Sequence, residues 1–106
     1  MEIINIDSVE QFKQIVEENQ EFTLLKNSLT CPISSAANQE YEKFSEKSDC
    51  PLFRLHVQHA RELSNYIADT YQIKHESPQV IKIVDGEPAW NTSHSDISVS
   101  SLESNC

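Results

Sequence analysis

The order of apolar segments along the 106-residue chain predicts an α/β fold, a five-stranded mixed sheet flanked by four helices in the order β-α-β-α-β-α-β-β-α. Three observations lead there. Short apolar runs alternate with segments whose apolar residues recur at helical spacing, the pattern of strands joined by crossover helices. The last two strands are separated only by Asp85-Gly86, a hairpin signal, so they run antiparallel. Strands joined through helices run parallel, with right-handed crossovers. The length suits a single domain over residues 1–106, and 38% hydrophobic residues suit a modest core.

Ile3 to Ile6 is the first strand candidate. Asp7 then has the form of a helix N-cap, with Glu10 three residues on as its capping-box partner. Val9, Phe12, Ile15 and Val16 follow at helical spacing, and that helix should stop near Asn19. Phe22-Thr23-Leu24-Leu25 is apolar enough for a strand buried on both faces. It leads through Asn27-Ser28-Leu29-Thr30 into Cys31 and Pro32. Proline suits the first helical position, where its fixed φ fits and its missing N–H costs nothing. Ala36, Ala37, Tyr41 and Phe44 carry this second helix to the turn-like Ser48-Asp49-Cys50-Pro51. Leu52 to Val57 is a third strand, and Ala60, Leu63, Ile67 and Tyr71 mark a third helix. Val80 to Val84 forms the fourth strand, and Pro88-Ala89-Trp90 begins the fifth. A last helix from about Ser95 or Asp96 is expected to bury Ile97, Leu102 and Val99. The resulting layout is thioredoxin-like, which by itself leaves the chemistry open.

Composition narrows the function. The chain has one glycine, Gly86, so neither a Walker A loop nor a dinucleotide fingerprint exists. Seventeen acidic residues against eight Lys and Arg give a net charge of −9, a field that repels phosphate backbones and anionic lipid. Neither a nucleic acid nor a membrane is an expected partner. The first residues lack a basic region followed by an apolar stretch, so no signal peptide is read there. The expected location is the cytoplasm, where thiols stay reduced, and three cysteines are an odd number for a disulfide framework.

Cys31 follows a buried strand and directly precedes a helix. Unpaired N–H groups at a helix N-terminus, with the helix dipole, favour a thiolate there. Its pKa should lie below the free value of ~8.5. A lone cysteine is more often a small core hydrophobe; the strand–Cys-Pro–helix setting reverses that weighting. Thr30 offers a nearby hydroxyl. The motif is Cys31-Pro32-Ile33-Ser34, and Ser34 occupies the place of a second thiol. It cannot form a disulfide, but it can hydrogen-bond the sulfur. Cys50 follows the far end of the second helix. A last helix of about ten residues at ~1.5 Å rise carries Cys106 ~15 Å from the site. Cys50 is read as structural and Cys106 as a loosely held terminal thiol, both distal to Cys31. Ser77-Pro78 heads a strand that runs antiparallel to the one before Cys31, so its start lies at the same end. Position alone leaves cis and trans equally open for that bond. A cis bond there would free the Ser77 backbone to pair with an extended substrate segment.

Thr30-Cys31-Pro32-Ile33-Ser34, together with Lys74-His75-Glu76-Ser77-Pro78-Gln79 and Ser93-His94, resembles the monothiol bacilliredoxin family, over about Ile3 to Leu102. The resemblance implies thioredoxin-like oxidoreductases that remove bacillithiol from mixed disulfides on protein cysteines. Cys31 then matches the nucleophile, Pro78 the cis-proline and Ser77 the residue before it. Ser95 stands where many members carry an aromatic residue. Partners would be bacillithiolated proteins and bacillithiol, the latter as co-substrate, with no bound cofactor and a monomeric chain. His75 and His94 are candidates to protonate the leaving thiolate, although a solvated loop histidine is the commoner role. Iron–sulfur binding as in monothiol glutaredoxins is not expected, because the Gly-Phe of their Cys-Gly-Phe-Ser motif is absent. A zinc site from Cys50, His56 and His59 lacks a fourth ligand, so no metal is expected. The competing readings are a general thiol–disulfide reductase or isomerase, and a non-catalytic binding module in which Cys31 is buried and inert.

Overall fold

Six of the seven residues of the central strand, Glu21–Asn27, are buried, as the apolar run over Phe22 to Leu25 requires. The computed structural model describes residues 1–106. Its elements are β1 (Ile3–Asn5), α1 (Val9–Glu18), β2 (Glu21–Asn27), α2 (Pro32–Ser45), β3 (Leu52–His56), α3 (Arg61–Tyr71), β4 (Gln79–Val84), β5 (Glu87–Ser93), a short 3₁₀ turn (His94–Asp96) and α4 (Val99–Asn105). The strands lie in the order β1-β3-β2-β4-β5. β3 pairs parallel with both β1 and β2, β4 pairs antiparallel with β2, and β5 antiparallel with β4. This is the five-stranded mixed sheet with four helices that the element order predicts.

Alternation along the strands divides the core. Phe22, Leu24, Phe53, Leu55, Ile81 and Ile83 face α1 and α3, where they meet Phe12, Ile15, Leu63 and Ile67. Leu25, Leu52 and Val80 face α2 and α4, where they meet Ala37, Tyr41, Phe44 and Leu102. The first layer is fixed by edge-to-face aromatic contacts of Phe12 with Phe22, Tyr66 and Tyr71. The second is pinned by the fully buried Tyr41, whose hydroxyl donates to the carbonyls of Thr23 (3.0 Å) and Phe53 (2.9 Å). One side chain thus locks α2 across β2 and β3.

The β4–β5 hairpin turns as its sequence requires. Asp85 and Gly86 both have positive φ, 53° and 78°, the geometry of the tight turn that matches strand twist. Pro88 sits in an edge strand beside a register irregularity at Lys82/Ile83, a position where a missing N–H is tolerated.

Three expectations need correction. The N-cap of α1 is Ser8, with Gln11 as its reciprocal partner, one residue later than Asp7 and Glu10. Ile6 is buried and its N–H still donates to Arg54 O (2.9 Å), which keeps the chain extended past Asp7. The last helix starts at Val99 rather than near Ser95. Ile97 is buried in an extended conformation after the 3₁₀ turn, and Ser98 then caps α4 in a reciprocal box with Ser101. Val99 is only half-buried. Cys106 is not loosely held: its N–H donates to Leu102 O (2.9 Å), its sulfur accepts from Thr23 Oγ1 (3.4 Å), and it packs against the α2/α4 core.

Tyr41→Phe keeps the ring and removes both carbonyl contacts. The expected result is a loss of about 1 kcal/mol of unfolding free energy, read as a lower urea midpoint at unchanged slope. An unchanged midpoint would show that the hydroxyl contributes nothing.

Candidate active site

β2 ends at Asn27, and the turn Ser28-Leu29-Thr30 delivers Cys31 to the N-cap of α2, with extended backbone (φ −98°, ψ 123°) and Pro32 in the first turn. Proline has no N–H, so the first donors facing the sulfur come from Ile33 and Ser34. The Ser34 N–H, then that of Ile33, hold the Cys31 thiol below its ordinary pKa against an opposing desolvation, and the Ser34 hydroxyl adds the smallest contribution. The effect is electrostatic, since the Cys31 side chain closes no formal cap hydrogen bond. Cys31 is partly exposed, so the sulfur is open to a partner and the buried, inert alternative does not describe it.

Ser34 is fully buried, and its Oγ accepts from Ser28 N–H at 3.3 Å, tying the loop to the helix. Thr30 is turned elsewhere: its Oγ1 meets Gln58 Nε2 (3.3 Å) and Ser28 Oγ (3.4 Å). Gln58 is the residue that the motif reading missed. Its Nε2 also donates to Ser28 Oγ (2.9 Å) and its Oε1 accepts from Leu29 N–H (3.0 Å), so one amide clasps the whole 28–30 turn. The available signal was topological. Gln58 follows β3, whose parallel pairing with β2 puts the two strand ends side by side.

The second strand at this end is β4, with Lys26 opposite Gln79. The Ser77–Pro78 bond, open between isomers by position, is cis. Pro78 O accepts from His94 N–H (3.0 Å). The Ser77 backbone takes no part in the hydrogen bonds of the turns and loops, and its Oγ is buried without a partner. Between α2 and the 3₁₀ turn runs a groove of about 490 Å³ lined by Pro32, Ile33, Ala36, His94 and Ile97. Leu29 and Ile33 are 53% and 49% exposed, an apolar pair flanking Cys31.

The two histidines separate. His94 lines the groove. His75 instead turns to the other face of the sheet, its Nδ1 3.0 Å from Ser64 Oγ on α3 and 3.3 Å from Lys26 Nζ. It is therefore set aside as a proton donor to the groove. Lys26 is fully buried and donates to Ser64 O at 3.1 Å. Burial pushes its pKa from 10.5 to about 8. Burial and the Lys26 charge in turn lower His75. His56 and His59 line a cleft with Asn5 and Asp7, while Cys50 lies at the opposite end beside Cys106, so the trio weighed for zinc is not assembled.

The family model that matches the chain is monothiol bacilliredoxin BrxC, over residues 4–102. Among solved structures, the chain is similar to a candidate oxidoreductase with a thioredoxin fold at 46% identity and TM-score 0.92, covering 97% of this chain and 92% of that one. The thioredoxin of Schistosoma mansoni matches at 19% identity and TM-score 0.78, with 97% and 91% covered. That of Trypanosoma brucei brucei matches at 16% and 0.79, with 98% and 87% covered. The last two share the fold.

Alkylation of Cys31 by iodoacetamide, followed against pH, should reach half-maximal rate below the midpoint of free cysteine. Ser34→Ala should raise that midpoint only part of the way, because backbone N–H groups are the larger cause; complete reversion would assign the effect to the hydroxyl. Lys26 gives a second test. Its folded pKa is lowered, so between about 8 and 10.5 the unfolded chain binds more protons and stability rises with pH. Lys26→Met should abolish that rise and move the His75 titration, followed by NMR, upward. A His75 midpoint that stays in place would rule out the contact.

Proposed function

Since the chain belongs to the monothiol bacilliredoxin family, we propose that this thiol–disulfide oxidoreductase removes bacillithiol from mixed disulfides on protein cysteines, with Cys31 as its nucleophile. The observation that carries the reading is the isolation of Cys31. It has helix N–H groups to support an anion and Ser34 where a resolving thiol would stand. The other two cysteines lie near Thr23 and Lys82, at the far end of β2 and β4. From Thr23 to Asn27 is four residues, ~13 Å of extended chain, which puts both thiols out of reach.

The reaction follows from that arrangement. The Cys31 thiolate attacks the bacillithiol sulfur of a modified protein. The new S–S bond joins Cys31 to bacillithiol, the old one breaks, and the target cysteine leaves as a thiolate that takes up a proton. A second small thiol, or a reductase, then attacks the bacillithiol sulfur and returns Cys31 to its thiolate. A single thiol favours this exchange over net reduction of protein disulfides, because nothing internal displaces the target. His94, which lines the groove with Pro32 and Ile33, is the histidine we assign as proton donor. The free Ser77 backbone can take an extended target segment by strand addition, and Leu29 and Ile33 can cover its apolar side chains. The net charge of −9 gives no general attraction for an anionic thiol, so the helix-end potential must do the local work. Such a cycle belongs in a reducing compartment, the cytoplasm. No helix is long and apolar enough to cross a membrane. The groove and the thiol are complete within one chain, so a monomer suffices.

The parent chain and a Cys31→Ser variant would be incubated with a bacillithiolated test protein and both products weighed by intact-mass spectrometry. Bacillithiol should move onto the parent at Cys31 and stay on the target with the variant. Transfer that survives Cys31→Ser but disappears in Cys106→Ser would overturn the assignment.

A further inference from the structure

At the end of the sheet remote from Cys31, the other two cysteines line one cavity of about 400 Å³ together with Glu21, Phe44, Lys47 and Glu103. Cys50 enters it from the turn before β3, and Cys106 from the C-cap of α4. Their sulfurs rest on two neighbouring side chains of the sheet. Cys106 Sγ accepts from Thr23 Oγ1 at 3.4 Å, and Cys50 Sγ from Lys82 Nζ at 3.8 Å. Thr23 and Lys82 are register partners across β2 and β4. Directly opposed residues of an antiparallel pair keep their Cβ atoms ~5 Å apart on one face. Two thiols distant in sequence therefore share one wall of one cavity. The wall carries a nearly buried ammonium, since Lys82 is 5% exposed and its nearest carboxylate, Glu21 Oε2, is 3.9 Å away. Both cysteines are partly exposed. Both also belong to element ends, a turn and a helix cap, outside the strands of the sheet.

We propose that Cys50 and Cys106 form a second thiol–disulfide site, independent of Cys31, which closes into a reversible intramolecular disulfide when a low-molecular-weight disulfide enters the cavity. Cys50, beside the Lys82 ammonium, attacks the small disulfide; one half leaves as a thiol and the other stays on Cys50. Cys106 then attacks the Cys50 sulfur, and the second half leaves. Two protein thiols are oxidised, one small disulfide is reduced to two thiols, and the two thiol protons depart with the products. Closure fastens α4 to the turn before β3. A dithiol or an excess of small thiol reverses it.

The test uses the full Cys31→Ser chain treated with 2-hydroxyethyl disulfide, so the outcome does not depend on the first site. Intact mass should fall by about 2 Da, the two thiol hydrogens, and a proteolytic fragment should contain Cys50 joined to Cys106. Reduction should restore both thiols. Adding Cys50→Ala or Cys106→Ala should stop the reaction at a stable mixed disulfide on the remaining cysteine. The wild-type chain with Cys31 alkylated beforehand should behave as Cys31→Ser does. Separate stable adducts on both cysteines, crosslinks only between chains, or a loss of about 2 Da that survives Cys50→Ala would each overturn the proposal.

Discussion

Everything at the site depends on β2 being held on both sides. It is hydrogen-bonded to β3 on one edge and β4 on the other, and it is buried almost throughout. A strand fixed in this way fixes where the chain must leave the sheet. The turn after Asn27 is short, so the N-terminus of α2 and its unpaired N–H groups fall at one place. Pro32 removes the first donor and leaves those of Ile33 and Ser34 to face the sulfur. Tyr41 fastens α2 to the carbonyls beneath it, and Gln58 fastens the turn. The thiol is tuned by backbone geometry, which side-chain substitution alters little.

Much of this is legible in the residues, and the reasons differ by element. Strand and helix order follows from apolar periodicity, and Asp85-Gly86 dictates its own turn. Cys31-Pro32 identifies a helix start because proline and an N-cap position impose the same backbone demands. Helix caps were less legible. Asp7-x-x-Glu10 and Ser8-x-x-Gln11 are both acceptable boxes, and only the burial of Ile6 selects between them. Ile97 likewise breaks the last helix for a tertiary reason. The loop before Pro78 has no periodicity, so the end of the sheet at which His75 sits was readable but not the face. Gln58 belongs to the site through strand adjacency alone, a relation that no local motif encodes.

The same alternation separates two chemistries within a small protein. Thr23 and Lys82 point to the α2/α4 side near the starts of the parallel strands, where Cys50 and Cys106 lie. Lys26 points to the α1/α3 side, towards His75. The sheet stands between these groups, so the charge of Lys26 bears on a histidine of the opposite face and leaves the groove to His94.

Cys31 is also the residue that would normally cap its helix. While its sulfur is an anion, the open end of α2 has the negative partner it otherwise lacks. In a disulfide that sulfur atom carries no charge, and the partner is taken away. The resting form is therefore the one in which the first turn is electrostatically complete, and a bound passenger leaves that turn short of charge. In the proposed cycle, departure of the passenger restores it, so the helix end favours the unmodified thiolate.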